Sequence, residues 1–104
     1  MTQILFTPLA KQDLQEIWLY LAENGNSEIA KKFLSAVKKK CETVSNFPEI
    51  GQLRHEYLLH LRSFPFNKYV VFYLPIEDGI EVLRIVHSSR DIQQVFDEMI
   101  PLEP

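Results

Sequence analysis

The chain has one cysteine, three glycines, one tryptophan, no excess of positive charge and no long apolar run. Each scarcity excludes something. A lone Cys41 rules out an internal disulfide and fits a reducing cytoplasm. Three glycines leave no glycine-rich phosphate loop. Without a stretch of about 20 apolar residues there is no membrane-spanning helix. Met1 to Pro8 has no basic start followed by an apolar stretch, so no secretory signal is read there. Fourteen acids against eleven Lys and Arg give a net charge of −3, which argues against phosphate-driven binding to nucleic acid by this chain alone. Lys31, Lys32, Lys38, Lys39 and Lys40 fall in one segment and read as the solvated side of a helix. No metal-ligand spacing is present: His55 and His60 have no cysteine or carboxylate pair to complete a site.

What is present is apolar and periodic. The 46% hydrophobic content and 104 residues fit a single domain spanning 1–104. Ile4 to Phe6 is a short strand. Thr7-Pro8 opens a helix, Thr7 as cap and Pro8 in the first turn. Ala10, Leu14, Ile17, Trp18 and Leu21 recur at helical spacing, Tyr20 widening the stripe. Asn24-Gly25 ends it, with Gly25 as a left-handed cap. A second helix starts at Asn26 or Ser27 and carries Ala30, Phe33, Leu34, Val37, Cys41 and Val44 on one face. Cys41 on that stripe reads as an inert core thiol. The two helices form an antiparallel hairpin.

Three strands follow. Tyr57 to Arg62 alternates apolar and mixed residues, and Phe64 to Asn67 reads as a turn. Lys68 to Leu74 is β-branched or aromatic after its lysine, and Pro75 stops it. Asp78-Gly79 marks a hairpin, and Ile80 to His87 is the last strand. Strands this apolar are buried on both faces. A third helix runs from Asp91 to Met99, with Ile92, Val95, Phe96 and Met99 on one side and Pro101 ending it. The expected class is α+β: an N-terminal strand, a helical hairpin on an antiparallel sheet (β-α-α-β-β-β), and a short C-terminal helix.

The last strand exits into His87, Ser88, Ser89, Arg90 and Asp91, a polar cluster where buried sheet meets solvent. Ser88 or Ser89 suits the cap of the third helix, and Asp91 suits its positive end. Arg90 gains nothing there, so it is a candidate for contacting a partner or for pairing with an acid. Arg62 and Arg84 lie within strands and need partners, for which Glu56, Glu81 and Asp91 are the nearest acids in the pattern.

FTPLAKQDLQEIWLYLAENG, the Phe47-Pro48 helix exit followed by Gly51, LRSFPFNKYVVFYL and VLRIVHSSRDIQQVF, in this order, resemble the ParE/RelE superfamily of type II toxin–antitoxin systems. The resemblance is to the ParE branch, with His87, Arg90 and Asp91 matching its tail. RelE-like ribosome-dependent mRNA endoribonucleases carry lysines at the positions of Leu58 and His60, an arginine at Val70 and a tyrosine at Phe96. Only Arg90 matches their basic set fully, so the resemblance implies no catalytic residues and no cofactor. It implies a toxin that binds DNA gyrase and blocks replication, neutralised by a ribbon-helix-helix, ParD-like antitoxin. Alternatives are an mRNA endoribonuclease or a non-toxic, degenerate member. Partner-binding candidates are Arg62, His87, Arg90, Asp91 and Phe96.

Overall fold

The structure of the protein is a computed structural model and describes residues 2–99. Pro101, expected to end the third helix, lies outside them. The elements are β1 (Gln3–Phe6), α1 (Pro8–Asn24), α2 (Ser27–Asn46), β2 (Gln52–Leu53), β3 (Arg62–Phe66), β4 (Tyr69–Ile76), β5 (Gly79–His87) and α3 (Ile92–Met99). The α+β class is that expected, and the element order is the expected one with a two-residue strand, β2, added before the meander. The strands form one sheet in the order β1-β5-β4-β3-β2. β2 to β5 pair antiparallel, and β1 joins β5 in parallel. That junction needs Gly79: its φ is +156°, and any Cβ there would strike the backbone of Gln3.

The local chemistry explains the corners. Thr7 accepts a hydrogen bond from the Ala10 amide at 3.0 Å and donates its hydroxyl to the Leu83 carbonyl at 2.8 Å. One residue therefore caps α1 and ties it to β5. Asn26 caps α2 through the Ile29 amide. Gly25 is not left-handed: its φ is −134°, because the chain turns straight into the second cap. A Cβ there would sit tightly, 3.0 Å from the Leu21 carbonyl oxygen and from Ile29 Cδ1.

The sheet is buried on both faces. The helical hairpin covers one with Ile17, Val37, Cys41 and Val44 against Phe64, Val71, Tyr73, Ile80 and Ile85. α3 covers the other with Val95 and Phe96 against Leu61, Phe72, Leu83 and Val86. Tyr20 leaves the stripe and is 54% exposed. Cys41 is fully buried, and burial pushes its thiol up to about 11. The native protein should therefore resist iodoacetamide at pH 8 and react only once unfolded. The raised value means the folded state holds the thiol proton more tightly than the unfolded chain. Stability is thus unaffected below the ordinary thiol value and falls as pH climbs from there towards 11. Rapid alkylation of the folded protein at pH 8 would contradict this burial.

Several boundaries differ from the sequence reading. Tyr57 to His60 is a turn rather than a strand: the Tyr57 and Leu58 amides both donate to the Arg54 carbonyl, and His60 has φ +68°. Tyr57, Leu58 and Leu61 pack on the α3 face while Leu59 points outward, 65% exposed, so burial here does not follow the alternation of the sequence. Phe64 to Phe66 is strand, and the turn is Asn67-Lys68, with Asn67 at φ +53°. Pro65 is tolerated because β2 pairs with β3 only at Arg62 and Ser63, leaving no further neighbour on that side. Pro75 likewise sits inside β4 opposite Ile80, beyond the last β3 pair at Tyr73. The two-residue β2 is too short for any alternation to reveal. Asp91, not Ser88 or Ser89, caps α3, accepting from the Gln94 amide at 3.2 Å.

Candidate functional site

β1 ends at Phe6, opposite Val82, and among the described residues the outer edge of β5 continues without a neighbouring strand. α1 supplies side chains in its place. Thr7 takes the Leu83 carbonyl, and the Asp13 carboxylate accepts from the Ile85 amide at 2.9 Å. The same carboxylate grips Arg84 through two nitrogens, at 2.8 and 3.0 Å. Asp13 is 7% exposed. Its hydrogen bond holds the Arg84 guanidinium above the ordinary arginine value, against the opposing effect of burial. Arg84 therefore pairs with an acid on α1 and not with Glu56, Glu81 or Asp91. The signal was present in the sequence: Asp13 lies between Ala10 and Ile17 on the buried stripe, where an acid requires a buried partner. The β4–β5 register shifts between Phe72 and Tyr73, so that Phe72 pairs with Arg84 and Tyr73 with Val82.

Past this lock the space between α1, the start of α2, the Asn67-Lys68 turn and the end of β5 opens into a cleft of about 580 Å³. Its floor is apolar, formed by Ile17, Leu21, Phe33 and Ile85. Phe33 is set edge-on to Phe66 and Tyr69, at 5.4 and 5.5 Å between ring centres. Burial, with the neighbouring Tyr20, raises the Tyr69 hydroxyl above its ordinary value, so it stays a neutral donor. Glu16 and Tyr20 line the cleft from α1; Lys68, His87 and Arg90 line it from the strands. These strand-side residues are held together by the backbone. The Ser88 amide donates to the Lys68 carbonyl at 2.8 Å, and the Arg90 amide to the His87 carbonyl at 3.0 Å. His87 Nδ1 accepts from the Ser89 amide at 3.1 Å and lies 2.8 Å from the Ser89 hydroxyl. Accepting an amide proton there assigns the neutral ring's own proton to Nε2.

Two of the five residues singled out from the sequence, His87 and Arg90, line the cleft. Asp91 is adjacent but serves as the α3 cap. Arg62 is elsewhere: its Nη1 donates to the Glu49 and Gly51 carbonyls, both at 2.7 Å, and so clamps the loop after α2. Tyr73 completes that clamp, donating to Pro48 and accepting from the Gly51 amide. Phe96 is in the core at 1% exposure, stacked on Tyr57 and edge-on to Phe72, and presents nothing to a partner. The sequence reading missed the cleft's Glu16, Phe33, Lys68 and Tyr69, because they converge from four separate elements.

Comparison with known proteins gives the same direction. A family model described as ParE toxin of type II toxin-antitoxin system, parDE, matches residues 4–92. Toxin ParE1 of Caulobacter vibrioides is 28% identical over 82 residues, covering 79% of this chain and 84% of that protein. A solved structure, the chromosomal ParDE TA system from P. aeruginosa, matches with a TM-score of 0.70 over 84% of this chain and 96% of that one. At 18% identity that likeness concerns the fold alone.

Proposed function

This chain belongs to the ParE toxin family of type II toxin–antitoxin systems, and from that membership we propose that it arrests growth by binding DNA gyrase. It acts in the bacterial cytoplasm, by binding and without chemistry of its own. A ribbon-helix-helix, ParD-like antitoxin neutralises it by laying its tail along the apolar cleft between the helical hairpin and the sheet. The observation that carries a binding role is that cleft: apolar floor, charged rim, rigid strands beneath. The geometry also disfavours RNA cleavage. Phe96 and Val70 pack in the α3-side core, where the ribonucleases would need a proton donor and a phosphate-binding cation. His60 spends its backbone amide on His55 and lies on the far turn, away from the cleft.

The test is direct. Purified protein should trap gyrase on cleaved DNA, and added antitoxin should reverse it. Messenger cuts in translating extracts, with gyrase unaffected at saturating protein, would overturn the proposal in favour of an endoribonuclease. Induction without growth arrest would favour a non-toxic member.

Arg90 gives a sharper prediction within this reading. Among the described residues it has no ion-pair partner. Asp91, its neighbour in sequence, caps α3, and Asp97 and Glu98 accept from Gln93 and Gln94. Arg90→Ala should therefore shift stability by less than about 1 kcal/mol. It should nonetheless lose toxicity, since desolvated arginines commonly dominate interfaces. A thermal melt beside a growth assay measures both; full toxicity in the folded variant would remove Arg90 from the site.

A further inference from the structure

Five of the chain's eleven Lys and Arg stand within ten consecutive residues of α2, 31–40, a stretch that holds no acid. Lys31, Lys32, Lys38, Lys39 and Lys40 are all exposed. Lys31 and Lys38 are seven residues apart, as are Lys32 and Lys39, so the four form two parallel rows, each about 10 Å long. Both rows stay clear of the buried line of Ala30, Val37, Cys41 and Val44. Glu28 and Glu42 flank the rows at helical spacing, yet among the described residues none of the five lysines is ion-paired. The helix dipole does not account for them either: they occupy the middle of α2, and its last turn holds no base.

The residue types choose among partners. Protein interface cores are depleted in Lys and enriched in aromatic residues and Arg, and the exposed residues between the lysines, Ser35 and Ala36, supply neither. An interfacial membrane helix needs its apolar face free to enter the lipid, whereas that of α2 is closed against the sheet. A phosphate polymer requires neither feature, because flexible point charges suffice to hold it. We propose that the lysine rows of α2 grip the phosphate backbone of duplex DNA without regard to sequence. The role of this contact rests on the gyrase reading above: the duplex is the one gyrase holds, and α2 gives the toxin a second grip on the trapped complex. The net charge of −3 keeps the chain alone a weak binder. At physiological salt, however, charges act over only about 8 Å, so acids beyond that range do not cancel the patch.

The test measures binding of the purified chain to labelled duplex DNA of about 30 base pairs, in two unrelated sequences, between about 0.05 and 0.2 M salt. The parent is compared with the variant Lys31→Gln/Lys32→Gln/Lys38→Gln/Lys39→Gln. All four residues are exposed and Gln is as good a helix former as Lys, so the variant should melt as the parent does. If it melts early, the pairs Lys31→Gln/Lys38→Gln and Lys32→Gln/Lys39→Gln give the same reading row by row. The parent should bind both sequences alike, with an affinity that falls steeply as salt rises. The variant should bind at least about tenfold more weakly at the lowest salt, and its salt slope should be shallower by about 0.9 for each lysine removed. No binding by the parent at the lowest salt, or an unchanged affinity and slope in the variant, would overturn the proposal. So would equal or tighter binding to duplex RNA, to polyglutamate or to phosphatidylserine vesicles, each pointing to a different partner. The assay contains no gyrase. A chain that grips the duplex through α2 but leaves gyrase untouched would fail only the gyrase reading, and one that traps gyrase without binding the duplex would fail only this proposal.

Discussion

Val37→Asp should leave no cooperatively folded protein. Val37 is fully buried, midway along α2, within the cluster that joins both helices of the hairpin to β3, β4 and β5. No basic side chain belongs to that cluster, so the carboxylate would have no partner. An unpaired buried charge costs several kcal/mol or must take up a proton, and the cavity shape is lost as well. Domains of this size have only about 5–15 kcal/mol in total. The hairpin would lose its seat on the sheet. Near-ultraviolet dichroism and urea titration would show it, as an absent tertiary signal and no sigmoidal transition. A soluble variant with the parent's melting temperature would contradict the α2 register.

Asp13→Ala should follow in severity, with a loss of about 3–5 kcal/mol, the usual cost of removing one partner of a buried pair. Three hydrogen bonds converge on this carboxylate, two from Arg84 and one from the Ile85 amide. Alanine would leave a guanidinium that is 12% exposed without its acid, and a strand-edge amide without an acceptor. The double replacement Asp13→Leu/Arg84→Met removes both charges and should recover much of that loss. Denaturant titration of the three variants would measure the coupling. If Asp13→Ala stays within about 1 kcal/mol of the parent, the pair is an exposed contact in solution and not the lock between α1 and β5. Arg90→Ala differs from both, because its effect should appear in partner binding and not in the melt.

The contrast among these three residues shows how far the sequence could be read. Val37 was legible because the helical period places Ala30, Val37, Cys41 and Val44 on one line, and a stripe of that kind must be buried. The caps at Thr7 and Asn26 were legible for a similar local reason: each bonds an amide three residues on. Asp13 was half legible. Its place on the buried stripe demanded a partner, but nothing local identifies one 71 residues away. The strand boundaries around Tyr57 to Phe66 misled because the alternating Tyr57, Leu59 and Leu61 implied one buried face, whereas the turn packs Leu58 and leaves Leu59 exposed.

The amino-acid sequence by itself determined the hairpin, the two apolar strands meeting at Asp78-Gly79, the reduced Cys41 in the core and the family resemblance that the comparisons bear out. These depend on periodicity, capping and composition, which act over a few residues. The tertiary structure alone decided that β1 runs parallel to β5, that Arg84 pairs with Asp13, that Phe96 is core and that Arg62 clamps a loop. It also decided that Glu16, Phe33, Lys68 and Arg90 share one cleft. Each of these depends on which surfaces meet once the chain has closed on itself. That choice is set by the packing of the whole apolar set at once, and no short stretch of sequence carries it.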